Sequence, residues 1–504
     1  MSGVGVQPTA ILVAICYVTL PPVTGAAGRP CHTSRPATIV ASCTNATDCR
    51  PEFQAALDRA PISVIIPARE TPYPIREPGL WPRSNTVLTL ESGVSLLAAR
   101  GAFVRSPTGV FSGDGTSMVV IKDVSNVSIL GHNASIRMHK DDYNSLPGYA
   151  PHPSSGRMGI IMRNCSDIRV AGLTVSHTGG DGIYIGRNHE PAPWCCTDAP
   201  PGNCANETTA CHGVASNVHI TDVRSLYNSR QGMSIVAGVN ITVERSEFSW
   251  TQGACPQAGI DIEPSSGEEP VSNITLRDIV CRNNTGSQLQ LPLDPYVLAP
   301  GGLPVRLVLD GVHLYGANWS SRNDGCSSSG LGLVMGPFRS IGEVVFSNIL
   351  VEETPAAGLL IEPKAQSTID TKGHLGVPGV AVVAAKLEMR NITLRHTALR
   401  PAIDGAYVES PMVIGTDSVH NYTVGNISMD DMKVVSSAAS RWVGQTWLTA
   451  GVGPYCADGT GWQLDNSSIT GSATIWAPHR AECSVSTPPE VKLGAVALQC
   501  ISPI

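Results

Sequence analysis

The feature that most constrains this chain is a repeat. From residue 120 onward a start segment with alternating apolar and polar residues, often Asn-x-x-Ile/Val, is followed after an interval by Gly-apolar-x-apolar. Starts fall at Asn126, Cys165, Asn217, Asn240, Asn273, Glu343 and Asn391, and second segments at Gly159 (GIIM), Gly182 (GIYI), Gly232 (GMSI), Gly259 (GIDI), Gln288 (QLQL), Gly332 (GLVM) and Gly358 (GLLI). The spacing is 23 residues from Gly159 to Gly182, 27 from Gly232 to Gly259 and 26 from Gly332 to Gly358. Each unit thus holds short β segments with turn residues between them and no amphipathic helix. A leucine-rich repeat would need a strict L-x-x-L-x-L frame, and a propeller blade about 40 residues with four strands. The pattern instead predicts an all-β solenoid, a right-handed parallel β-helix. Its rungs stack about 4.8 Å apart, apolar side chains fill the inside, and alternate positions form outward columns.

The organisation follows from where the repeat starts and stops. Residues 28–119 are expected to form an N-terminal cap and first coils, with a short helix from Pro51 whose Phe53, Ala56 and Leu57 share one face, followed by the strand-like Ser63–Pro67. The repeats fill 120–435, interrupted by a Cys-rich loop at 187–213. Residues 436–504, with Trp442, Trp447, Trp462, Trp476, Cys456, Cys483 and Cys500, are expected to form a disulfide-tied C-terminal cap.

Composition narrows the setting. Only 15% of the 504 residues are charged, and 41 acidic against 34 basic residues give a net charge of −7. With no Lys/Arg cluster, nucleic acid is excluded as a partner. The apolar run Ala10–Leu20, then Pro21-Pro22 and the small residues Gly25, Ala26 and Ala27, reads as a secretory signal spanning residues 1–27. No Lys or Arg precedes that run, and it is shorter than the about 20 residues that span a bilayer. After removal of the signal 14 cysteines remain, an even number suited to disulfides in an oxidising compartment. Thirteen N-x-[ST] sequons occur. Some follow from the repeat itself, because Asn opens its strands. Those expected to carry glycans are Asn45, Asn133, Asn206, Asn283, Asn318, Asn421 and Asn466. The expected product is a secreted, monomeric glycoprotein, free of the membrane after cleavage.

The stretches RMHKDDY (137–143), GRMGI (156–160), HTGGDGIYIG (177–186), NSRQGMSIV (228–236) and QAGIDIEP (257–264) resemble secreted β-helix proteins of the pectate-lyase-like superfamily. That superfamily includes polysaccharide lyases, polygalacturonase-type hydrolases and uronan epimerases. The resemblance covers roughly residues 50–420 and implies a polysaccharide substrate. The aspartate and His-Gly motifs of the polygalacturonases and the Asp-Pro-His-Glu motif of the alginate epimerases are absent.

Superposing the second segments assigns faces. If Ile183/Ile185, Met233/Ile235 and Ile260/Ile262 point inward, Tyr184, Ser234, Asp261 and Gln290 form one outward column. Glu263 lies two residues beyond Asp261, roughly 6.5–7 Å along the same face. Asp181 and Arg230 precede their strands at the turn feeding that face. Paired carboxyls suit glycoside hydrolysis, one donating a proton and the other activating water or attacking the sugar. The catalytic candidates are therefore Asp181, Asp261, Glu263 and Arg230. Tyr184, Ser234, Gln290, His177, Arg157, Lys140 and Trp194 are candidates for substrate contact. Elimination would instead assign Arg230 or Lys140 to catalysis and Asp181, Asp261 and Glu263 to Ca²⁺; hydrolysis is otherwise cofactor-free. Each residue also has a structural reading. Asp181 after Gly179-Gly180 suits a turn, Glu263-Pro264 recurs as Glu362-Pro363, Arg230 serves as an ion-pair partner, and His177 suits the surface. A non-catalytic glycan-binding β-helix is the rival outside enzymology.

Overall fold

The computed structural model describes residues 37–104, 113–145, 156–188, 213–264, 269–293, 303–316, 330–335, 342–361, 386–398, 411–414, 427–435, 446–450, 468–476, 484–486 and 492–501. They form a right-handed parallel β-helix. Its strands belong to two parallel sheets, one of 17 strands and one of 11. Strands of the larger sheet run up to 13 residues, as in Ser125–Arg137, whereas those of the smaller have two to five, as in Leu289–Gln290 and Gln231–Ile235.

Each long strand bends because selected residues adopt the left-handed backbone conformation. Asn126, Asp167, Asn217, Asn240 and Asn273 sit at one bend with φ from +53° to +57°. Asn and Asp tolerate this region better than other residues bearing a side chain. The bend repeats on the consecutive rungs from Asn85 to Asn273, so the side chains stack. Nδ2 of Asn126 donates to Oδ1 of Asn85 at 2.9 Å, that of Asn217 to Asp167 at 3.1 Å, that of Asn240 to Asn217 at 3.1 Å and that of Asn273 to Asn240 at 2.6 Å. The Asn that opens the repeat is therefore a corner residue. A second bend column holds Asp222, Arg245, Asp278, Asn348, Asn391 and Asp431, and a third His177, Tyr227, Trp250 and Asn283.

The glycines of the short strands have a steric cause. At Gly182 a Cβ would stand 2.0 Å from Oγ of Ser225 and 2.7 Å from the carbonyl oxygen of Gly232. The short strand lies so close to the long sheet that only glycine fits at its start. Beyond it, Ile183, Ile185, Met233, Ile235, Ile260, Ile262 and Leu289 join the continuous apolar core.

The helix Arg50–Leu57 buries Phe53, Ala56 and Leu57, as the spacing predicted, and strand Ile62–Ile66 follows. In the segment expected as a C-terminal cap, Ser468–Trp476 and Lys492–Ile501 extend the larger sheet while Thr446–Ala450 and Ser484–Ser486 extend the smaller. Cys43 and Cys49 are bridged, and Cys255 is also disulfide-bonded. Cys165 and Cys281, by contrast, are buried free thiols, so disulfide pairing does not extend to every cysteine outside the signal. Among the described residues no helix is long and apolar enough to cross a membrane.

Candidate active site

Register fixes the outward column of the short sheet. Tyr184 pairs with Ser234, Ser234 with Asp261, and Asp261 with Gln290. The flanking Ile260 and Ile262 belong to the core, so Asp261 points away from it. Outward does not mean exposed, however: Asp181 and Asp261 are 0% exposed and Ser234 1%.

One guanidinium organises the cluster. Arg230 Nη1 lies 3.3 Å from Asp181 Oδ2, and its Nη2 lies 3.6 Å from Glu263 Oε2. Nη1 also donates to Gln231 Oε1 at 2.6 Å. Ser234 Oγ is 2.8 Å from Asp181 Oδ2 and also contacts Gln231 Oε1, while Gln231 Nε2 donates to Asp261 Oδ2. Gln290 borders the same carboxyl from the next rung, its Oε1 accepting from Ser287 Oγ at 2.7 Å. Two polar atoms are left over: Oδ1 of Asp181 and Oδ1 of Asp261 are buried with no hydrogen-bond partner among the described residues. The solvent-reaching members are Glu263, whose side chain is 41% exposed, and Arg230, at 24%.

These surroundings control the protons. Burial raises the affinity of Asp181 for its proton, opposed by Arg230 and Ser234. Asp261 is raised well above the ordinary carboxylate range, first by burial and then by the neighbouring Glu263, with Arg230 and Gln290 opposing. Burial by itself would lower Arg230, but Asp181, Asp261 and Glu263 outweigh it and raise the guanidinium. The site therefore pairs a buried, proton-retaining carboxyl with an exposed one beside a fixed cation.

The other sequence candidates lie elsewhere or are covered. Tyr184 is 9% exposed. Its ring lies over Gly186, where a Cβ would stand 2.6 Å from the ring, and the Arg163 guanidinium is 5.2 Å from its centroid. It therefore presents no open face to a sugar. Arg157 is completely buried, donating from Nε to the carbonyl of Phe103 at 2.8 Å, with its guanidinium over Tyr143. His177 packs at a tilt against Tyr227, which stacks on Trp250, along the third bend column. Lys140 Nζ donates to the carbonyl of Gln252 at 2.8 Å. Trp194, Asn206, Asn318, Asn421 and Asn466 lie outside the described residues. Asn45 and Asn133 are exposed and Asn283 is half-buried.

The Ca²⁺ set does not fit. Among the described residues no three His, Cys, Asp or Glu side chains converge as metal ligands. Arg230, bound to Asp181 and Glu263, already supplies the positive charge a calcium ion would bring.

Sequence reasoning missed Gln231. Its signal was the step before the strand glycine, where Asp181-Gly182 and Gln231-Gly232 place polar side chains at equivalent positions on neighbouring rungs.

No family model matches the chain, and no curated protein matches it. Its fold is similar to the A-module of the Azotobacter vinelandii mannuronan C-5 epimerase AlgE4, at 14% identity over 91% of this chain and 95% of that one, with a TM-score of 0.54. The A-module of the AlgE6 epimerase of the same organism gives 12% identity over 90% and 95%, with a TM-score of 0.55. The polygalacturonase from Erwinia carotovora ssp. carotovora gives 12% identity over 86% and 97%, with a TM-score of 0.48. At these identities the likeness is one of fold.

Proposed function

We propose that this chain is an exported, glycosylated enzyme that cleaves a polysaccharide by hydrolysis at the outward face of its short sheet. The observation carrying this reading is the carboxyl pair Asp261–Glu263: one member is buried where both its surroundings and its neighbour favour the proton, and the other reaches solvent beside Arg230. Glycoside hydrolysis needs a carboxylic acid that keeps its proton near neutral pH and a second carboxyl that does not. In this reading Glu263 meets the substrate, Asp261 holds the proton behind it, and Arg230 stabilises developing negative charge. Asp181 fixes Arg230. The apolar N-terminal run and the Cys43–Cys49 bridge support export. That the similar folds include two named as epimerases and one as a polygalacturonase agrees with a polysaccharide substrate.

A second reading, elimination, is favoured by the partial exposure of Arg230, which could neutralise a uronate carboxylate. Incubation with uronate and neutral glycans separates the two. Hydrolysis yields new reducing ends without absorbance, whereas elimination leaves an unsaturated product absorbing at about 235 nm. The expected outcome is reducing ends alone, lost in Glu263→Gln. Binding without turnover across the panel would overturn catalysis and leave a glycan-binding module.

A further inference from the structure

The glutamine beside the paired carboxyls has only one chemically sensible orientation. Its Oε1 faces two donors, Nη1 of Arg230 at 2.6 Å and the hydroxyl of Ser234. Rotating the amide would set an NH₂ group against a guanidinium, so the acceptor end is fixed there. Nε2 then faces Asp261, where it donates to Oδ2. The next rung repeats the device: Ser287 takes Oε1 of Gln290 at 2.7 Å, and that amide borders Asp261 from the opposite side. In both cases a serine three residues from the glutamine pins its oxygen.

We infer that Gln231 is a positioning residue that selects which oxygen of Asp261 carries the proton. Nε2 can only donate, so Oδ2 must accept and the acid proton resides on Oδ1. Oδ1 is the buried oxygen with no partner among the described residues, which leaves its proton available for transfer. Ser234 and Arg230 hold the oxygen of Gln231 and so orient the amide that faces Asp261, on which Arg230 also acts by its charge. The charged groups facing Asp261 are Glu263, just past the end of its strand, and Arg230 from the turn of the preceding rung, with Asp181 behind Arg230. The assignment of a catalytic proton rests on the hydrolytic reading above, but the tautomer does not.

The test therefore uses two readouts. In protein carrying ¹³C-labelled aspartate, the infrared carboxyl stretch is followed against pH, with Asp261→Asn identifying the Asp261 band. Gln231→Glu replaces the donor with an acceptor of the same shape. The Asp261 transition is expected to move upward in pH, and kcat on a cleaved glycan to fall about 10²-fold with an upward-shifted alkaline limb and little change in KM. Ser234→Ala, a milder change, should move the band in the same direction by less. Rate loss with an unmoved band and pH profile would overturn the inference and reduce Gln231 to packing. If the parent cleaves no glycan but the band still moves, the positioning stands and the hydrolytic reading falls.

Discussion

Replacing Asp261 with Asn should stabilise the protein as pH rises while abolishing turnover. The side chain is completely buried and its proton affinity is raised well above the ordinary carboxylate range, first by burial and then by Glu263. Such a group holds its proton more tightly folded than unfolded. Its favourable contribution is complete below the unfolded value, about 3.9, and is lost as pH climbs through the folded one. One proton gives a slope of at most about 1.4 kcal/mol per pH unit across that window. Asn reproduces the protonated acid: its carbonyl can accept from Gln231, and its amide can donate toward Glu263. Asp181 titrates in both proteins and cancels in the difference. With about 2.1 cal/mol/K per residue, a unit as long as Ala37–Ile504 has an unfolding entropy near 1 kcal/mol/K. The Tm gap between variant and parent should then open by about 1.4 °C per pH unit above pH 4 and close below it. Calorimetric scans at pH 4, 5, 6 and 7 measure this directly. An equal gap at every pH, or a variant that loses stability as pH rises, would show that Asp261 is an ionised structural partner and not a proton carrier.

Three further outcomes test neighbouring steps of the reasoning. Arg230→Met removes the counter-charge of buried Asp181, so turnover should fall at least about 10²-fold and stability at pH 7 by up to about 3 kcal/mol. Asp181 then holds its proton still more tightly, so the deficit should shrink toward pH 4 in urea titrations, the reverse of the Asp261→Asn trend. Gly182→Ala forces a Cβ to 2.0 Å from Ser225 Oγ and 2.6 Å from Asn228 Nδ2; overpacking and broken buried hydrogen bonds should cost about 3–5 kcal/mol. Gly115→Ala, facing open space, should stay within about 0.5 kcal/mol in the same equilibrium unfolding assay. In protein from a glycosylating host, mass spectrometry after enzymatic deglycosylation in heavy-oxygen water should mark Asn45, Asn133 and Asn283. Asn126, Asn240, Asn273 and Asn391 should remain unmarked, because each donates its Nδ2 to a side chain of the preceding rung.

The period and the alternation were enough to read the β-helix, the inward isoleucines and the outward column through Tyr184, Ser234, Asp261 and Gln290, because strand register turns linear spacing into stacking. Burial was not readable in the same way. Alternation says which side of a strand a residue faces, but what covers that side is set by chain distant in sequence. Tyr184 therefore faces outward, yet its ring lies flat over Gly186. The Asn that opens many of the repeats looked like a strand start or a glycan acceptor; its left-handed backbone and its hydrogen bond to the preceding rung appear only once the rungs are stacked. Gln231 escaped because its role is relational. It matters through what flanks it on three rungs, and no property of a lone glutamine announces that.

The place of the acids within their column is the strongest reason to assign them a function. Followed rung by rung, the outward position is Val120, Ile161, Tyr184, Ser234, Asp261, Gln290, Val334 and Leu360, each paired with the next. All eight are buried. The fold can thus fill this covered face with apolar side chains, and does so on either side of the site, at Val120 and Ile161 and at Val334 and Leu360. Between Val120 and Leu360 only Ser234, Asp261 and Gln290, on three consecutive rungs, depart from that, and the chain buries a carboxyl there at Asp261 and another at Asp181, one rung before, with one guanidinium to balance them. Burying an unbalanced carboxyl costs several kcal/mol unless it takes a proton. An aliphatic residue at 261 would avoid that cost within the same strand geometry, as Ile161 and Val334 demonstrate. A local departure from what packing favours, confined to the rungs where Glu263 and Arg230 open to solvent, is where a functional site is expected in an otherwise self-consistent solenoid.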